Sequence, residues 1–415
     1  MPRKRRKSKK NDLKSFLSDY LMQIPPTTDL LPCEGCGSCL FGEYHYEDHL
    51  EGKTFWLTEV YRPLKEKGVL PNVKIGVEIS PKRTRYRNKM DFVAYDGKIG
   101  LRKGGFANVY DVMDSCLAPE FMSEVLAAFR KWQEFPYYDL QNHTGIIRYF
   151  VVRSSEHEGN MQYMLTLVVK NIPQHLPQSL LQFMKDEGIY DKFTVIAIAQ
   201  QPTKSDVSFS DDLTFLKGTH IEYDLSVHEK TYTFAITPNA FFQSNAKMYE
   251  IVLEDMAQSL KKYLPEGEII LYDLYGGIGS IGISLSQFAS KIINIEISQE
   301  NCALAERNAI INKVNNYTVI CSDVTKELGK IEFTKGSVIV FDPPRVGIGE
   351  KALQQFLSLE SLPQVILYMS CNPLTQVLDL DILSSHYEIV SVKGYDMFPF
   401  TGHIEALVVL IKKPE

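Results

Sequence analysis

The rhythm of apolar and polar positions changes once along this chain, near residue 236. Ahead of that point, short alternating runs are mixed with amphipathic ones. Asp12 to Met22 reads as a helix, and Glu43 to Arg62 as a longer aromatic-rich helix that Pro63 should stop. Val73 to Leu101 alternates like paired strands, with a turn at Asp96-Gly97. Ser123 is placed to cap a helix over Glu124 to Glu134. Ile146 to Val152 and Met161 to Val169 form a second antiparallel pair, followed by a helix over Leu176 to Glu187 and a strand over Phe193 to Ala199. Beyond 236, buried strands alternate with helices, the pattern of a parallel sheet covered on both faces. The division expected is a tail and short helix over 1–30, a cysteine segment with a helix over 31–70, a central α+β domain over 71–235 and an α/β domain over 236–415. No internal repeat is evident.

The strands of the second half end on chemistry. Glu268 to Asp273 runs into Leu274-Tyr275-Gly276-Gly277-Ile278-Gly279-Ser280, and a helix is expected from Ile281 to Phe288. Glycines there let a ligand approach the backbone beside a helix amino terminus. Lys291 to Glu296 ends in an acid placed to bind ribose hydroxyls of a nucleoside cofactor. Tyr317 to Asp323 and Ser337 to Asp342 end in acids again, the latter opening Asp342-Pro343-Pro344-Arg345. Asp273, Glu296, Asp323 and Asp342 thus define one crevice rim, with a plain surface glutamate at a strand end as the alternative reading of Glu296. Val365 to Met369 then delivers Ser370-Cys371-Asn372-Pro373 to a break, where Pro373 cannot continue a ladder. A thiol at that place is either a small buried hydrophobe or a nucleophile at the mouth of the sheet. Two last strands, from Tyr387 and from Leu407 to Ile411, flank a loop holding His403 and Glu405.

Composition narrows the setting. A chain of 415 residues with 44% hydrophobic and 23% charged residues fits a soluble protein of two or three domains. No apolar run is long enough to span a bilayer, and the amino terminus lacks the apolar core of a signal peptide, so a cytoplasmic location without membrane association is expected. Nothing in the sequence calls for an obligate protein partner. Seven cysteines in a chain this long argue against a disulfide framework. Three of them, Cys33, Cys36 and Cys39, stand at spacings that can surround one metal centre, with Cys116 available as a fourth ligand. The run suits an iron–sulfur cluster, and zinc is the competing occupant. Net charge is −6, so a nucleic-acid surface must be a local patch. The candidates are the first ten residues, with seven lysines and arginines, and Lys82 to Lys89, which could equally be a solvated charged face.

Taken together, these segments resemble the RNA uracil-5-methyltransferase family. The resemblance rests on Phe241-Phe-Gln-Ser-Asn245, Asp273-Leu-Tyr-Gly-Gly-Ile-Gly279, Asp342-Pro-Pro-Arg345, Ser370-Cys-Asn-Pro373 and Asp396-Met-Phe-Pro-Phe-Thr-Gly-His-Ile-Glu405. Tyr86-Arg-Asn-Lys89, Gly100-Leu-Arg-Lys103 and Gly145-Ile-Ile-Arg148 add to it. It implies a Rossmann-like class I methyltransferase domain, a parallel sheet with an antiparallel edge strand, joined to an amino-terminal α+β domain carrying a cysteine cluster. It further implies that Gln243, Tyr275, Ser280, Glu296, Asp323 and Asp342 line the S-adenosylmethionine and target-base pocket, and that Cys33, Cys36, Cys39 and Cys116 hold a [4Fe–4S] cluster. The cysteines, and a stretch ahead of Cys33 too short for the small β-barrel of many members, resemble the subgroup acting on 23S rRNA more than the one acting on tRNA. The gap between Cys33 and Cys36 is shorter than is usual in the family.

The chemistry explains the residue types. Carbon 5 of uracil is a poor nucleophile until a thiolate adds to carbon 6, which is covalent catalysis and the expected task of Cys371. After methyl transfer a proton on carbon 5 must be removed, the expected task of Glu405 as general base. Base-amino methylation would need an aromatic residue where Arg345 stands, and cytosine-5 methylation a different setting for the cysteine. A non-catalytic RNA-binding assembly factor is the reading from another class.

Overall fold

A computed structural model describes residues 12–27, 37–70, 73–102, 108–264 and 267–414. The basic decapeptide, Cys33, Cys36 and Lys103 lie outside these described residues. Two helices lead, α1 (Leu13–Leu21) and α2 (Tyr46–Glu66). They cross closely at Gly52, where a Cβ would come within 2.7 Å of the Leu17 side chain. Pro63 lies inside α2 and does not end it. Its missing N–H removes one helical bond, but Leu57, Tyr61 and Leu64 bury the same face in the core, and that packing carries the helix through its last turn.

The central region supplies β2 (Lys89–Tyr95), β3 (Lys98–Arg102), β4 (Val109–Asp111), α3 (Glu120–Phe129), β5 (Ile147–His157), β6 (Asn160–Val169), α4 (Leu176–Asp186), β7 (Val195–Gln200) and β8 (Leu213–Lys217), after a short β1 (Gly76–Glu78). Seven of these strands form one sheet in the order β4-β3-β2-β5-β6-β7-β8, antiparallel apart from β6 beside β7. The β2–β3 turn falls where expected. Tyr95 pairs with Lys98, and Asp96 and Gly97 both take positive φ, as a two-residue hairpin requires. The α3 expectation is corrected: the helix begins at Glu120, because Phe121 and Met122 are already buried in the central core. Ser123 caps nothing and donates to Asp114 Oδ1 at 2.5 Å.

The remaining elements are β9 (Ile221–Val227), β10 (Lys230–Ile236), α5 (Ala246–Tyr263), β11 (Ile270–Leu274), α6 (Ser280–Ser284), β12 (Lys291–Glu296), α7 (Gln299–Ile311), β13 (Tyr317–Cys321), α8 (Val324–Glu327), β14 (Ser337–Phe341), α9 (Glu350–Leu357), β15 (Val365–Ser370), α10 (Pro373–Leu383), β16 (Tyr387–Tyr395) and β17 (Glu405–Lys412). The hairpin β9–β10 packs into the same core as α5 and β11. Among the described residues eight strands make the large sheet, ordered β1-β16-β17-β15-β14-β11-β12-β13. β14 and β15 are buried along their whole length, as strands covered on both faces must be.

Two features differ from expectation. The single reversed strand, β17, is not at the edge: it lies between β15 and β16 and runs antiparallel to both. The edge beyond β16 is taken by β1, which leaves its neighbours in sequence and pairs parallel to β16 at Gly76↔Lys393. Cys302 and Cys321 are joined in a disulfide, with 5.9 Å between Cα atoms. Position β13 beside β12 and α7 after it, and the two thiols meet.

Candidate active site

The strand order reverses between β11 and β14, and open α/β sheets keep ligands in the crevice at such a point. β11 ends there at Asp273 and Leu274. The following turn is built for close approach. Tyr275 has φ 63°, in the left-handed region that few non-glycine residues enter. Gly279 has φ 84°, and a Cβ there would lie 2.5 Å from the Tyr317 hydroxyl. At Gly276 a Cβ would lie 2.2 Å from Asn294 Nδ2. Only glycine fits at either place.

Asp273 is fully buried and faces the turn from below, its Oδ2 accepting from Gly282 N at 2.8 Å. Its Oδ1 has no partner among the described residues. Burial pushes its carboxyl up to about 7, against the pull of the Gly282 bond. Through the Gly282 bond Asp273 supports the turn from beneath. Glu296, at the end of β12, accepts from Gly277 N at 3.0 Å through Oε2 and from Ser298 N at 2.8 Å through Oε1. Each oxygen keeps a further lone pair for hydroxyl donors. Gln243, Tyr275, Ser280 and Asp342 line one narrow cavity, with Phe241 at its mouth, 66% exposed. Asp323 stands apart from that cavity. It caps α8 by accepting from Thr325 N at 2.9 Å, and its charge reaches the Tyr275 hydroxyl, which burial and Asp323 push up to about 12.

The second half of the site comes from strand register. Ser370 pairs with Ala406, so Cys371 and Glu405, one step outward on antiparallel strands, face each other at the rim. Glu405 is 5% exposed, and burial, then the Asp342 charge, hold its carboxyl well above the usual range. Cys371 is half-buried. Burial and Glu405 push its thiol up to about 11, while Arg345, within hydrogen-bonding reach, pulls it down. Asp342 is pushed up to about 7 by burial and by Asp273. The rim thus holds one thiol, two carboxyls biased toward their protonated forms and one exposed guanidinium. Such a set can add a sulfur to an electrophile and shuttle protons beside it. His403 is exposed at the rim, and partial desolvation of its ring together with surrounding cations, Arg345 foremost, pulls its imidazole down.

Sequence reasoning passed over the supports. Asp379 of α10, 4% exposed, accepts from Tyr368 Oη at 2.6 Å, Ile348 N at 2.8 Å and Gly349 N at 3.3 Å. Asn372 Nδ2 donates to Arg345 O at 2.8 Å. Together they fasten the loop of Asp342 to Gly349 against the strand and helix that flank Cys371. Tyr249 of α5 shares a 2.8 Å hydrogen bond with Ser280. An aspartate within an apolar helix was the only available signal for Asp379.

Residues 192–413, more than half of the chain, match the family model described as tRNA (Uracil-5-)-methyltransferase. The chain belongs to that family. An uncharacterized RNA methyltransferase of Caldanaerobacter subterraneus subsp. tengcongensis is 32% identical over 396 residues, covering 91% of this chain and 83% of that protein. One from Clostridium tetani is 32% identical over 430 residues, covering 98% of this chain and 89% of the relative. Among solved structures, a Pyrococcus abyssi tRNA (uracil-54, C5)-methyltransferase in complex with S-adenosyl-L-homocysteine superposes with a TM-score of 0.71 at 26% identity, over 92% of this chain and 86% of that one. The chain is thus an RNA methyltransferase with the class I fold. No helix among its described residues is long and apolar enough to cross a membrane.

Around the expected metal ligands, Cys116 is buried with Tyr86 and Leu117, and half-buried Cys39 packs on the same cluster with Phe398. Ser38 and Ser115, each next to one of these cysteines, share a 2.8 Å hydrogen bond. Two of the four thiols are therefore brought together from positions 77 residues apart. Among the described residues no group of three or more metal-binding side chains forms. The basic stretch from Lys82 is no uniform solvated face. Tyr86 is buried and donates to Pro399 O, and Arg85 is tied to Asp114 at 2.7 Å.

Proposed function

We propose that the chain transfers the methyl group of S-adenosylmethionine to carbon 5 of a uridine in RNA through a covalent adduct on Cys371. The observation that carries this is the Ser370↔Ala406 register, which sets Cys371 against Glu405 on the same rim as Asp342 and Arg345. Cofactor binding falls to Gln243, Tyr275, Ser280, Glu296, Asp323 and Asp342, in keeping with the S-adenosyl-L-homocysteine held by the Pyrococcus abyssi neighbour. The Cys371 thiol gives its proton to solvent, and the thiolate, which the Arg345 guanidinium favours, bonds through its sulfur to carbon 6. Electron density moves to carbon 5, which takes the methyl group as the sulfonium S–CH3 bond of S-adenosylmethionine breaks and S-adenosylhomocysteine leaves. Glu405 then removes the carbon 5 proton, the sulfur departs and the ring is restored. The base must leave its stack to reach the rim, at a cost of a few kcal/mol.

For the RNA, the cysteine segment favours 23S rRNA. A tRNA substrate is the second reading, favoured by the similarity to a tRNA enzyme. Tritiated-methyl S-adenosylmethionine incubated with each unmodified RNA, followed by digestion to nucleosides, separates them. Label in 5-methyluridine is expected, and label in methylcytidine or methyladenosine overturns the reading. Cys33, Cys36, Cys39 and Cys116 form the set for a [4Fe–4S] cluster, supported by the apolar nest that Cys39 and Cys116 share. Soft thiolates suit that group, and when bound it would clasp the segment before α2 to the loop after β4. Iron and sulfide in protein purified without oxygen support it, and stoichiometric zinc counts against it.

A further inference from the structure

The loop joining β16 to β17, residues 396–404, ends at Glu405 and is closed by a residue from far outside it. Tyr395 pairs with Glu405, so the loop is a nine-residue hairpin connection, too long to be fixed by turn geometry alone. The Lys53 ammonium, on α2, enters it from one side. Its Nζ donates to Asp396 Oδ1 at 2.6 Å, to Phe398 O at 3.1 Å and to His403 O at 2.9 Å. A lysine has three donors, and all three serve this one loop. Both side chains of the ion pair are fully buried. Burying two charges is a poor way to gain stability, because desolvation offsets much of their attraction. What the contact does achieve is a fixed relation between the first residue of the loop and the carbonyl two residues before Glu405. Neighbouring contacts point the same way: Leu40 N donates to Phe400 O at 3.0 Å, and the His49 ring lies 5.2 Å from that of Phe400.

We propose that Lys53 is a positioning residue, holding the 396–404 loop so that the Glu405 carboxyl stays aimed at the proton it removes. The inference rests on Glu405 acting as the base in the reading above. It also assigns a catalytic purpose to the amino-terminal segment, whose α2 reaches across to the rim.

The test separates the steps of the cycle. Lys53→Met is compared with Glu405→Gln and with Lys53→Met/Asp396→Asn, a pair that leaves no buried lone charge if the single variant folds poorly. Turnover, the gel-stable covalent adduct with RNA and affinity for S-adenosylmethionine are measured for each. Expected is a fall in turnover of about tenfold or more in both Lys53 variants, with adduct accumulating as in Glu405→Gln and cofactor affinity unchanged. Unchanged turnover, or a fall without adduct, overturns the inference while adduct in Glu405→Gln leaves Glu405 as the base. Absence of adduct from Glu405→Gln itself removes the role of Glu405 and this inference with it.

Discussion

Cutting Asp379 back to alanine tests whether the loop behind Arg345 is held as described. The change takes the acceptor from the Tyr368 hydroxyl and from the backbone N–H groups of Ile348 and Gly349, in a site 4% exposed. An orphaned buried donor costs about 1–3 kcal/mol, and the 3.3 Å bond to Gly349 is the weakest, so the loss should reach about 3–6 kcal/mol. Asp379→Asn would keep one oxygen for Ile348 and Tyr368 and lose little more than the Gly349 bond and the charge, about 1–2 kcal/mol. For a cooperative unit the size of the methyltransferase half, about 2–4 °C accompanies each kcal/mol. Asp379→Ala should therefore melt roughly 6–24 °C below the parent, and Asp379→Asn a few degrees below. Turnover should fall in the same order, because the released loop carries Arg345 and Asp342. Thermal melts by circular dichroism beside the tritium assay measure both. An Asp379→Ala protein melting within about 2 °C of the parent at full turnover would refute the reasoning.

Cys371→Ala should show neither turnover nor adduct, and Glu405→Gln should accumulate adduct on denaturing gels; a Cys371→Ala protein that still methylates RNA would end the covalent account. Because burial raises the Asp273 carboxyl to about 7, its contribution to stability is present below about pH 4 and lost as pH rises through about 7. Asp273→Asn should flatten that loss, on the order of 4 kcal/mol, in urea melts across the interval, and identical pH profiles would contradict it. Gly279→Ala forces a side chain into φ 84° and within 2.5 Å of the Tyr317 hydroxyl, so calorimetry should find S-adenosylmethionine bound about tenfold more weakly or worse, with equal affinity as the contrary result.

What the sequence disclosed was whatever is encoded within a few residues. The glycine turn after β11, the acid ending β12 and the strand before Cys371 were all legible, because period, turn chemistry and a carboxylate at a strand end sit together in the chain. The extent of α2 was not, since Pro63 is a local signal overruled by burial of Leu64. Ser123 offered a cap, yet Phe121 and Met122 had already drawn the helix forward. Relations between distant segments were invisible: Lys53 meets Asp396 across 343 residues, and β1 finds β16 instead of its sequence neighbours. A reversed strand was expected, but its interior position depended on β16 pairing along its far side. Cys302 and Cys321 likewise meet only once β13 lies beside β12.

The pairing of β1 with β16 also sets an order of events during synthesis. More than 300 residues separate Gly76 from Lys393, and at about 5–20 residues per second the ribosome needs roughly 15–60 s to produce the second after the first. Throughout that interval α2 and β1 have no sheet to join, while the seven-stranded central sheet can already close on itself. The opening segment is thus the last to find its seat, docking on a nearly finished enzyme like a latch drawn across a closed door.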